Sequence, residues 1–180
     1  VVLSRTEIVK LQHFDLNVVL GQLFNRYPTA FTYCFFHPKV GLWMGGFSEQ
    51  LLRMNPLGFQ TMAVAGTQPY HENQIIWGDK EKAEQQFVTD FIVDSLKGQS
   101  TELNISEPYT MRAGNVVHIK TDIQGQMRSG TGLREMLEIL HPTPAVCGFP
   151  KEASRQFLVQ SEGYDREYYC GFLGEFNKDF

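Results

Sequence analysis

A proline-rich loop between two helical segments is the feature that most constrains the fold of this chain. It reads His-Pro-Thr-Pro-Ala-Val-Cys-Gly-Phe-Pro over residues 141–150. Proline fixes φ and lacks a backbone donor, so this stretch is predicted to be neither helix nor strand. An apolar helical stripe that ends at Leu140 precedes it, and a helix that starts at Pro150 and runs to Ser161 is predicted to follow. A rigid loop held between two helices is a suitable place for a functional site.

The first part of the chain is predicted to contain one amphipathic helix and several short strands. Asp15 can cap the helix, whose apolar residues recur at helical spacing, and Pro28 ends it. Runs rich in β-branched and aromatic residues follow at 31–36, 40–44 and 59–64. We interpret these three runs as an antiparallel meander.

The second part alternates helices and strands in the same way. A helix capped by Asp79 is predicted to run to about Leu96, where Lys97 and Gly98 end it. Strands are predicted at 102–105, 109–111, 116–123 and 168–176, a mobile loop at 125–132 and a helix at 133–140. Single helices that alternate with hairpin-linked strands predict an α+β fold, with a largely antiparallel sheet packed with helices, in one unit over residues 1–180.

Composition excludes several classes of protein. With 180 residues, 42% hydrophobic and 20% charged, the chain can bury one core. A net charge of −4 without a basic run argues against nucleic-acid binding. Nothing in the sequence resembles a signal peptide or a membrane span, so we expect no membrane partner and a cytoplasmic parent protein. The three cysteines are an odd number without metal-ligand spacing and are predicted to be reduced, buried thiols.

Glu84 is the first candidate for chemistry on the helix after Asp79. Its neighbours three, four and seven residues later are Phe87, Val88 and Phe91, which predicts a carboxylate on the apolar flank of the helix. Such a carboxylate needs a partner, and a divalent cation is an efficient one. The alternative is a glutamate that reaches water from the edge of the stripe. Glu81, one turn earlier, either stabilises the start of the helix or supports the same site.

Glu49 is a candidate acid. It follows Gly45 and Gly46, where missing side chains would let a ligand approach, and burial beside Phe47 and Trp43 would raise its pKa. The alternative is a glutamate at the start of an edge strand that faces water.

Other polar residues can bind an anion or brace the loop. Gly66 and Thr67 form a turn that can present an N–H and a hydroxyl. His141 can donate into a site or anchor its loop, whereas His118 can face either a site or solvent. Asp165 and Arg166 are predicted to pair with each other and brace the loop.

Four motifs in this order resemble the chorismate-utilising enzymes, and among them the branch of isochorismate and salicylate synthases. They are Gly46 to Arg53, Ala65-Gly66-Thr67, Asp79 to Glu84, and the loop 141–150 together with Tyr-Asp-Arg-Glu-Tyr-Tyr-Cys-Gly at 164–171. The opening residues Val1 to Arg5 resemble the end of the family's Lys-Val-Val-Leu-Ala-Arg strand. The chain departs from the family at Ser48, where proline is usual, at Gln85, where histidine is common, and at 68–71, which is less basic.

The resemblance implies a part of a chorismate-binding catalytic domain with the anthranilate synthase component I-like fold. It implies Mg²⁺ held by Glu84, with Glu81 in support, and by a glutamate beyond Phe180. A lysine just before Val1 would activate water for attack at C2 of chorismate, and Glu49 would protonate the departing C4 hydroxyl. Gly66, Thr67, His141 and Thr143 would bind the substrate.

Three readings follow from this resemblance. The parent protein is expected to be an isochorismate synthase that serves menaquinone or siderophore synthesis. A salicylate synthase, which goes on to eliminate pyruvate, is the alternative within the family. The third reading is a catalytically silent fragment that self-associates through strand edges. The isolated 180 residues are expected to be inactive.

Overall fold

A five-stranded antiparallel sheet forms the centre of the fold, with a separate two-stranded sheet beside it. The structure, a computed structural model, describes residues 1–47, 49–72 and 75–177. Its helices are α1 (Leu16–Arg26), α2 (Asp79–Leu96), α3 (Leu133–Leu140) and α4 (Lys151–Ser161). Its strands are β1 (Phe31–His37), β2 (Gly41–Phe47), β3 (Arg53–Asn55), β4 (Gly58–Pro69), β5 (Ser100–Ile105), β6 (Tyr109–Ala113) and β7 (Val116–Met127). Among the described helices, none combines the length and the apolar character that crossing a membrane requires.

The long strands β4 and β7 pair with each other at the centre of the main sheet. The order is β3-β4-β7-β5, and β6 pairs with the other half of the same edge of β7. Every second residue of β7 from Val117 to Ile123 is buried, as expected of a strand with one face in the core. The sequence predicted a strand at 116–123, and the structure extends it to Met127.

Helix α2 covers the inward face of the sheet. Its buried residues recur three, four and seven positions apart, so one side of the helix packs against β4 and β7. The core comprises Phe59, Ala63, Val88, Ile92, Leu96, Ile123, Met136 and Leu140. Helix α3 closes this core from the side through the last two of these residues.

A buried glutamine lies within the contact between α2 and the sheet. The Gln85 side-chain amide donates to the hydroxyl oxygens of Thr89, at 2.8 Å, and of Thr121 on β7, at 2.7 Å. All three residues are buried, so each polar group depends on the others for its hydrogen bonds. The amide thus links the helix to the central strand.

Gln85→Ala in the full-length protein is expected to lower the free energy of unfolding by at least about 2 kcal/mol, because it leaves two buried hydroxyls without their partner and opens a cavity. Urea denaturation measures this loss. Gln86→Ala is the matched control, since Gln86 is exposed and its side chain bonds to the exposed Asp90; it should change stability by less than about 0.5 kcal/mol. Equal effects of the two substitutions would contradict the role of Gln85.

The hairpin of β1 and β2 forms a sheet of its own. Its register pairs Phe31 with Phe47 and Tyr33 with Gly45. A Cβ on Gly45 would lie 2.8 Å from the Tyr33 hydroxyl, so the missing side chain makes room for this ring. The predicted single meander is therefore wrong, because 31–47 and 53–69 belong to different sheets. The space at Gly45 that we assigned to a ligand is occupied by Tyr33.

The ends of several elements also differ from the prediction. Asp79 is the first residue of α2 and Gly78 occupies the capping position, although the acid still lies in the first turn, where it favours the helix. The predicted mobile loop starts too early, because Gly125 lies inside β7. The neighbouring strand β5 leaves no space for a side chain at this position, because a Cβ on Gly125 would lie 2.2 Å from the Glu102 carbonyl oxygen.

The predicted closing strand at 168–176 is absent from the described residues. Glu167 and Cys170 have φ of 48° and 63°, which lie in the left-handed region outside the range of regular β-strand residues. Hydrogen bonds from Tyr169 N to the Arg166 carbonyl and from Gly171 N to the Tyr168 carbonyl make consecutive turns instead. Residues 1–5 likewise form no strand, although the backbone N–H of Val2 donates to the Cys147 carbonyl at 3.0 Å.

All three cysteines are free thiols, as predicted, but only Cys147 is buried. Cys34 is exposed because it alternates with inward-facing residues on the outer face of β1. Several large apolar side chains on the described surface are exposed, among them Ile8, Phe36, Leu57, Ile76 and Val159. The self-association expected of the fragment stays a prediction.

Candidate functional site

A β-bulge near the end of β4 brings Gly66 and Thr67 to one residue of β7. Ala65 pairs with Ile119 and Thr67 with His118, so Gly66 is the extra residue. Its φ of 72° is in the left-handed region that favours glycine. The His118 Nδ1 atom lies 3.0 Å from the Thr67 hydroxyl oxygen and 3.2 Å from the Gly66 carbonyl oxygen. The bulge therefore joins three residues into one polar cluster.

The start of α2 contacts the same bulge from the opposite side. A Cβ on Gly66 would lie 3.1 Å from Glu81 Cβ, so the helix packs tightly against the bulge at this glycine. A Cβ on Gly78 would lie 2.7 Å from Glu81 Oε2, so this carboxylate turns back over the helix start. There it interacts favourably with the positive end of the helix dipole. Glu81 is thus adjacent to Gly66.

Glu84 is more exposed than its sequence neighbours predicted. Its side chain is 49% exposed, and Lys80 Nζ lies 3.6 Å from Glu84 Oε1. In this turn of α2 the residue that faces the sheet is Gln85, whereas Phe87 is exposed to solvent like Glu84. The expectation of a carboxylate on the apolar flank is therefore wrong, because packing against β4 and β7 selects a different face of the helix. The carboxylate remains open to a ligand from solvent.

Glu49 lies in the connection between β2 and β3 rather than at the start of a strand, since β3 begins at Arg53. Desolvation by neighbouring protein atoms raises the pKa of the Glu49 carboxyl above its ordinary value, although the residue as a whole is exposed. A raised pKa suits a group that donates a proton. The neighbouring Ser48, where the chain departs from the family motif, lies outside the described residues.

The proline-rich loop is anchored at both ends by side chains. Lys151 Nζ, on the first residue of α4, donates to the carbonyl oxygens of Glu138, Ile139 and His141 at the end of α3. It thereby satisfies backbone acceptors that a helix end leaves without partners. His141 Nε2 bonds to the Cys170 carbonyl oxygen at 2.8 Å, so this histidine anchors the loop to the turn at 167–170.

Thr143 shapes the interior of the loop through its backbone. Its carbonyl oxygen accepts from the N–H groups of Val146, at 3.2 Å, and Cys147, at 3.1 Å. Within the described part of the chain its hydroxyl has no hydrogen-bond partner. The hydroxyl can therefore still bind a ligand.

Arg166 connects three segments around this loop. Its guanidinium binds both carboxylate oxygens of Glu162, and it donates to the carbonyls of Val146 and Val2 at 3.0 Å each. Glu162 also accepts from Ser4, from N at 2.8 Å and from Oγ at 3.0 Å. These bonds hold the Glu162 pKa down at about 2, chiefly through Arg166. The predicted Asp165 to Arg166 pair is wrong, because Asp165 instead accepts from the Glu167 backbone.

The first residues of the chain pack directly onto the loop at Gly148. This glycine has φ of 108°, and a Cβ on it would lie 2.5 Å from Val1 Cα. Only a residue without a side chain allows this approach. Loop 141–150, the turn at 167–170 and residues 1–4 therefore form one packed unit.

A cleft of about 1140 Å³ lies between α3 and α4. His141 and Arg166 line it, together with apolar residues such as Leu137 and Phe172. The bulge at Gly66 contributes nothing to its walls. The chemistry-bearing residues thus fall into two groups, one at the bulge and one at the loop.

The structure brings some predicted site residues together and leaves others apart. Gly66 lies next to Glu81 on the α2 side of the bulge, whereas Thr67 bonds to His118 on the other side, and Glu84 lies one helical turn after Glu81. No hydrogen bond or ion pair of the described residues joins Glu49, His141 or Thr143 to this group. Sequence reasoning did not select His118 for the site. The sequence did carry a signal for its orientation. Val117 and Ile119 on either side are apolar and buried, so the alternation of a strand places His118 on the sheet face away from α2.

Comparison with known proteins gives one family over the whole chain. The model of the family described as chorismate binding enzyme matches residues 1–180. Isochorismate synthase EntC of Escherichia coli K12 is 29% identical over 185 residues, which cover 97% of this chain and 47% of that protein. The salicylate biosynthesis isochorismate synthase of Pseudomonas aeruginosa is 32% identical over 188 residues, 97% of this chain and 36% of that protein. The chain thus spans less than half the length of these relatives.

A solved structure gives the same result for the fold. The crystal structure of DhbC from Bacillus anthracis superposes with a TM-score of 0.75 over 85% of this chain and 45% of that one, at 23% sequence identity. The predicted α+β fold with a largely antiparallel sheet is therefore confirmed.

Proposed function

Because the chain belongs to the chorismate-binding enzyme family, we propose that the whole protein converts chorismate to isochorismate. The observation that carries this proposal is the end-to-end match of residues 1–180 to that family, in which relatives named isochorismate synthase align over 97% of the chain. In this reaction water adds at C2, the ring double bonds shift, and the C4 hydroxyl leaves as water after it receives a proton.

Glu49 is the proposed donor of that proton. A carboxyl group transfers a proton only while it is protonated, so a pKa raised by desolvation extends the pH range in which Glu49 can act. Its contact with water lets the carboxyl regain a proton after each turnover.

Mg²⁺ is the proposed cofactor, with Glu84 and Glu81 as the residues that would hold it. Carboxylate oxygens are the ligands Mg²⁺ prefers, and it commonly binds through one or two of them while substrate and water fill the other positions. The donor set fits this pattern through Glu84, whose carboxylate is half exposed and open to solvent. When bound, the ion would neutralise and orient the ring carboxylate of the substrate.

The remaining predicted residues are proposed to bind and orient chorismate. At the bulge, Thr67 is exposed and can offer its hydroxyl to a carboxylate. In the loop, the Thr143 hydroxyl can do the same. His141 already uses Nε2 to bond the Cys170 carbonyl, so it would contribute mainly by fixing the loop that carries Thr143.

The full-length protein is expected to form isochorismate from chorismate when Mg²⁺ is present, and to stop when the metal is chelated. Chromatography of the products tests this. Three results would contradict the proposal: salicylate with pyruvate, which is the product of the alternative enzyme; anthranilate when ammonia is added; or unchanged chorismate under conditions where the protein is folded.

A further inference from the structure

The position of one proton at the bulge can be deduced from the contacts of His118. Its Nδ1 atom has two oxygen neighbours, the Gly66 carbonyl at 3.2 Å and the Thr67 hydroxyl at 3.0 Å. A carbonyl oxygen can only accept a hydrogen bond. If Nδ1 carried a lone pair, two acceptors would face each other at 3.2 Å. Nδ1 therefore carries a hydrogen.

The hydrogen on Nδ1 determines which way the Thr67 hydroxyl points. Because Nδ1 donates, the Thr67 oxygen in contact with it acts as an acceptor. The hydroxyl hydrogen is then directed away from the imidazole ring. Thr67 is exposed, so that hydrogen is available to a bound molecule.

We propose that His118 is a positioning residue that orients the Thr67 hydroxyl as a hydrogen-bond donor to a carboxylate of the ligand. The bulge makes this arrangement possible, because the extra residue Gly66 brings a carbonyl and a hydroxyl to the same ring nitrogen. The identity of the carboxylate as one of chorismate rests on the proposed function. The position of the proton on His118 does not.

Two other histidines are predicted to hold the opposite tautomer and serve as internal references. The Lys39 backbone N–H donates to His37 Nδ1 at 3.2 Å, so that nitrogen carries a lone pair. His141 Nε2 lies 2.8 Å from the Cys170 carbonyl oxygen, so that nitrogen carries the hydrogen. His118 is thus expected to differ from both.

The tautomers can be measured in the full-length protein by long-range ¹H–¹⁵N correlation of ¹⁵N-labelled histidine at about pH 8, where ordinary imidazoles are neutral. The His118 signals are assigned by their loss in His118→Asn. A hydrogen on Nδ1 of His118, beside hydrogens on Nε2 of His37 and His141, supports the proposal. A hydrogen only on Nε2 of His118 overturns it, whatever the enzyme proves to catalyse.

The functional half is tested by two substitutions that imitate different nitrogens. In His118→Asn the side-chain amide can take the place of Nδ1, whereas in His118→Gln it reaches the place of Nε2. We expect Asn to keep KM for chorismate within about threefold and Gln to raise KM about tenfold with a smaller change in kcat, since the lost hydrogen bond serves binding.

Thr67→Val should raise KM by a similar factor, and adding His118→Gln to Thr67→Val should change it little further. Equal KM values for the Asn and Gln variants, or additive effects of Thr67→Val and His118→Gln, would overturn the positioning role. If the full-length protein does not turn over chorismate, the proposed function fails, and the tautomer measurement still decides the proton on His118.

Discussion

Glu84→Gln in the full-length protein is expected to lower magnesium-dependent turnover more than about 100-fold, because it removes a charged ligand and keeps the side-chain volume. Its melting temperature without metal should stay nearly unchanged. The carboxylate is half exposed, and its ion pair with Lys80 at 3.6 Å is of a kind that contributes less than about 0.5 kcal/mol. Magnesium should shift the melting temperature of the wild type and not that of the variant.

Asp94→Asn is the matched control for this prediction. Asp94 is an exposed acid on the same helix, paired with Lys97 at 2.6 Å. It should keep both full turnover and the magnesium-dependent shift in melting temperature. A Glu84→Gln protein that still responded to magnesium like the wild type would remove Glu84 from the ligand set.

Arg166→Met is expected to have the largest effect on stability, with a fall in melting temperature of more than about 5 °C. The substitution leaves the Glu162 carboxylate, only 6% exposed, without its cation. It also removes the donor to the Val146 and Val2 carbonyls. Arg166→Lys should restore only part of the loss. An ammonium group keeps the positive charge but cannot form the paired hydrogen bonds of a guanidinium. Thermal unfolding of the full-length protein measures these changes.

The control for Arg166 is Arg155→Met, which removes an exposed arginine from α4 and should change the melting temperature little. The dependence on pH gives a second criterion. The pKa of Glu162 is about 2 in the folded protein against an ordinary 4.5, so its ion pair stabilises the fold above pH 4.5 and this contribution is lost as pH falls towards 2. A Met variant with the same acid sensitivity as the wild type would contradict this assignment.

Elements fixed by local sequence were predicted well. The Asp15 carboxylate accepts from the N–H groups of Asn17 and Val18 and starts α1 at the expected residue. Helix α3 and the start of α4 after Pro150 also agree, as does the start of β7 at Val116. In each case a cap, a proline or a period of two or 3.6 residues determines the structure, and these signals are present in the residues themselves.

Features that depend on a partner distant in sequence could not be predicted. The stripe through Phe87 and Val88 was compatible with either Glu84 or Gln85 on the inner face, and contact with Thr121 on β7 decides in favour of Gln85. Arg166 has an acidic residue next to it, but its actual partner Glu162 is reached only because the turn folds back onto α4. The bulge that places His118 beside Thr67 likewise requires the register of β4 on β7.

The separation of the two sheets has a consequence for how the protein unfolds locally. Among the described residues, the hairpin of β1 and β2 shares no backbone ladder with the main sheet. Phe35 and Trp43 both contact the ring of Tyr168 edge-on, with ring centroids 5.3 and 5.8 Å apart. Tyr168 belongs to the turn that His141 and Arg166 hold against the loop. Opening of the hairpin and loosening of this turn are therefore coupled equilibria. A substitution that destabilises either one is expected to speed amide hydrogen exchange in both, ahead of global unfolding.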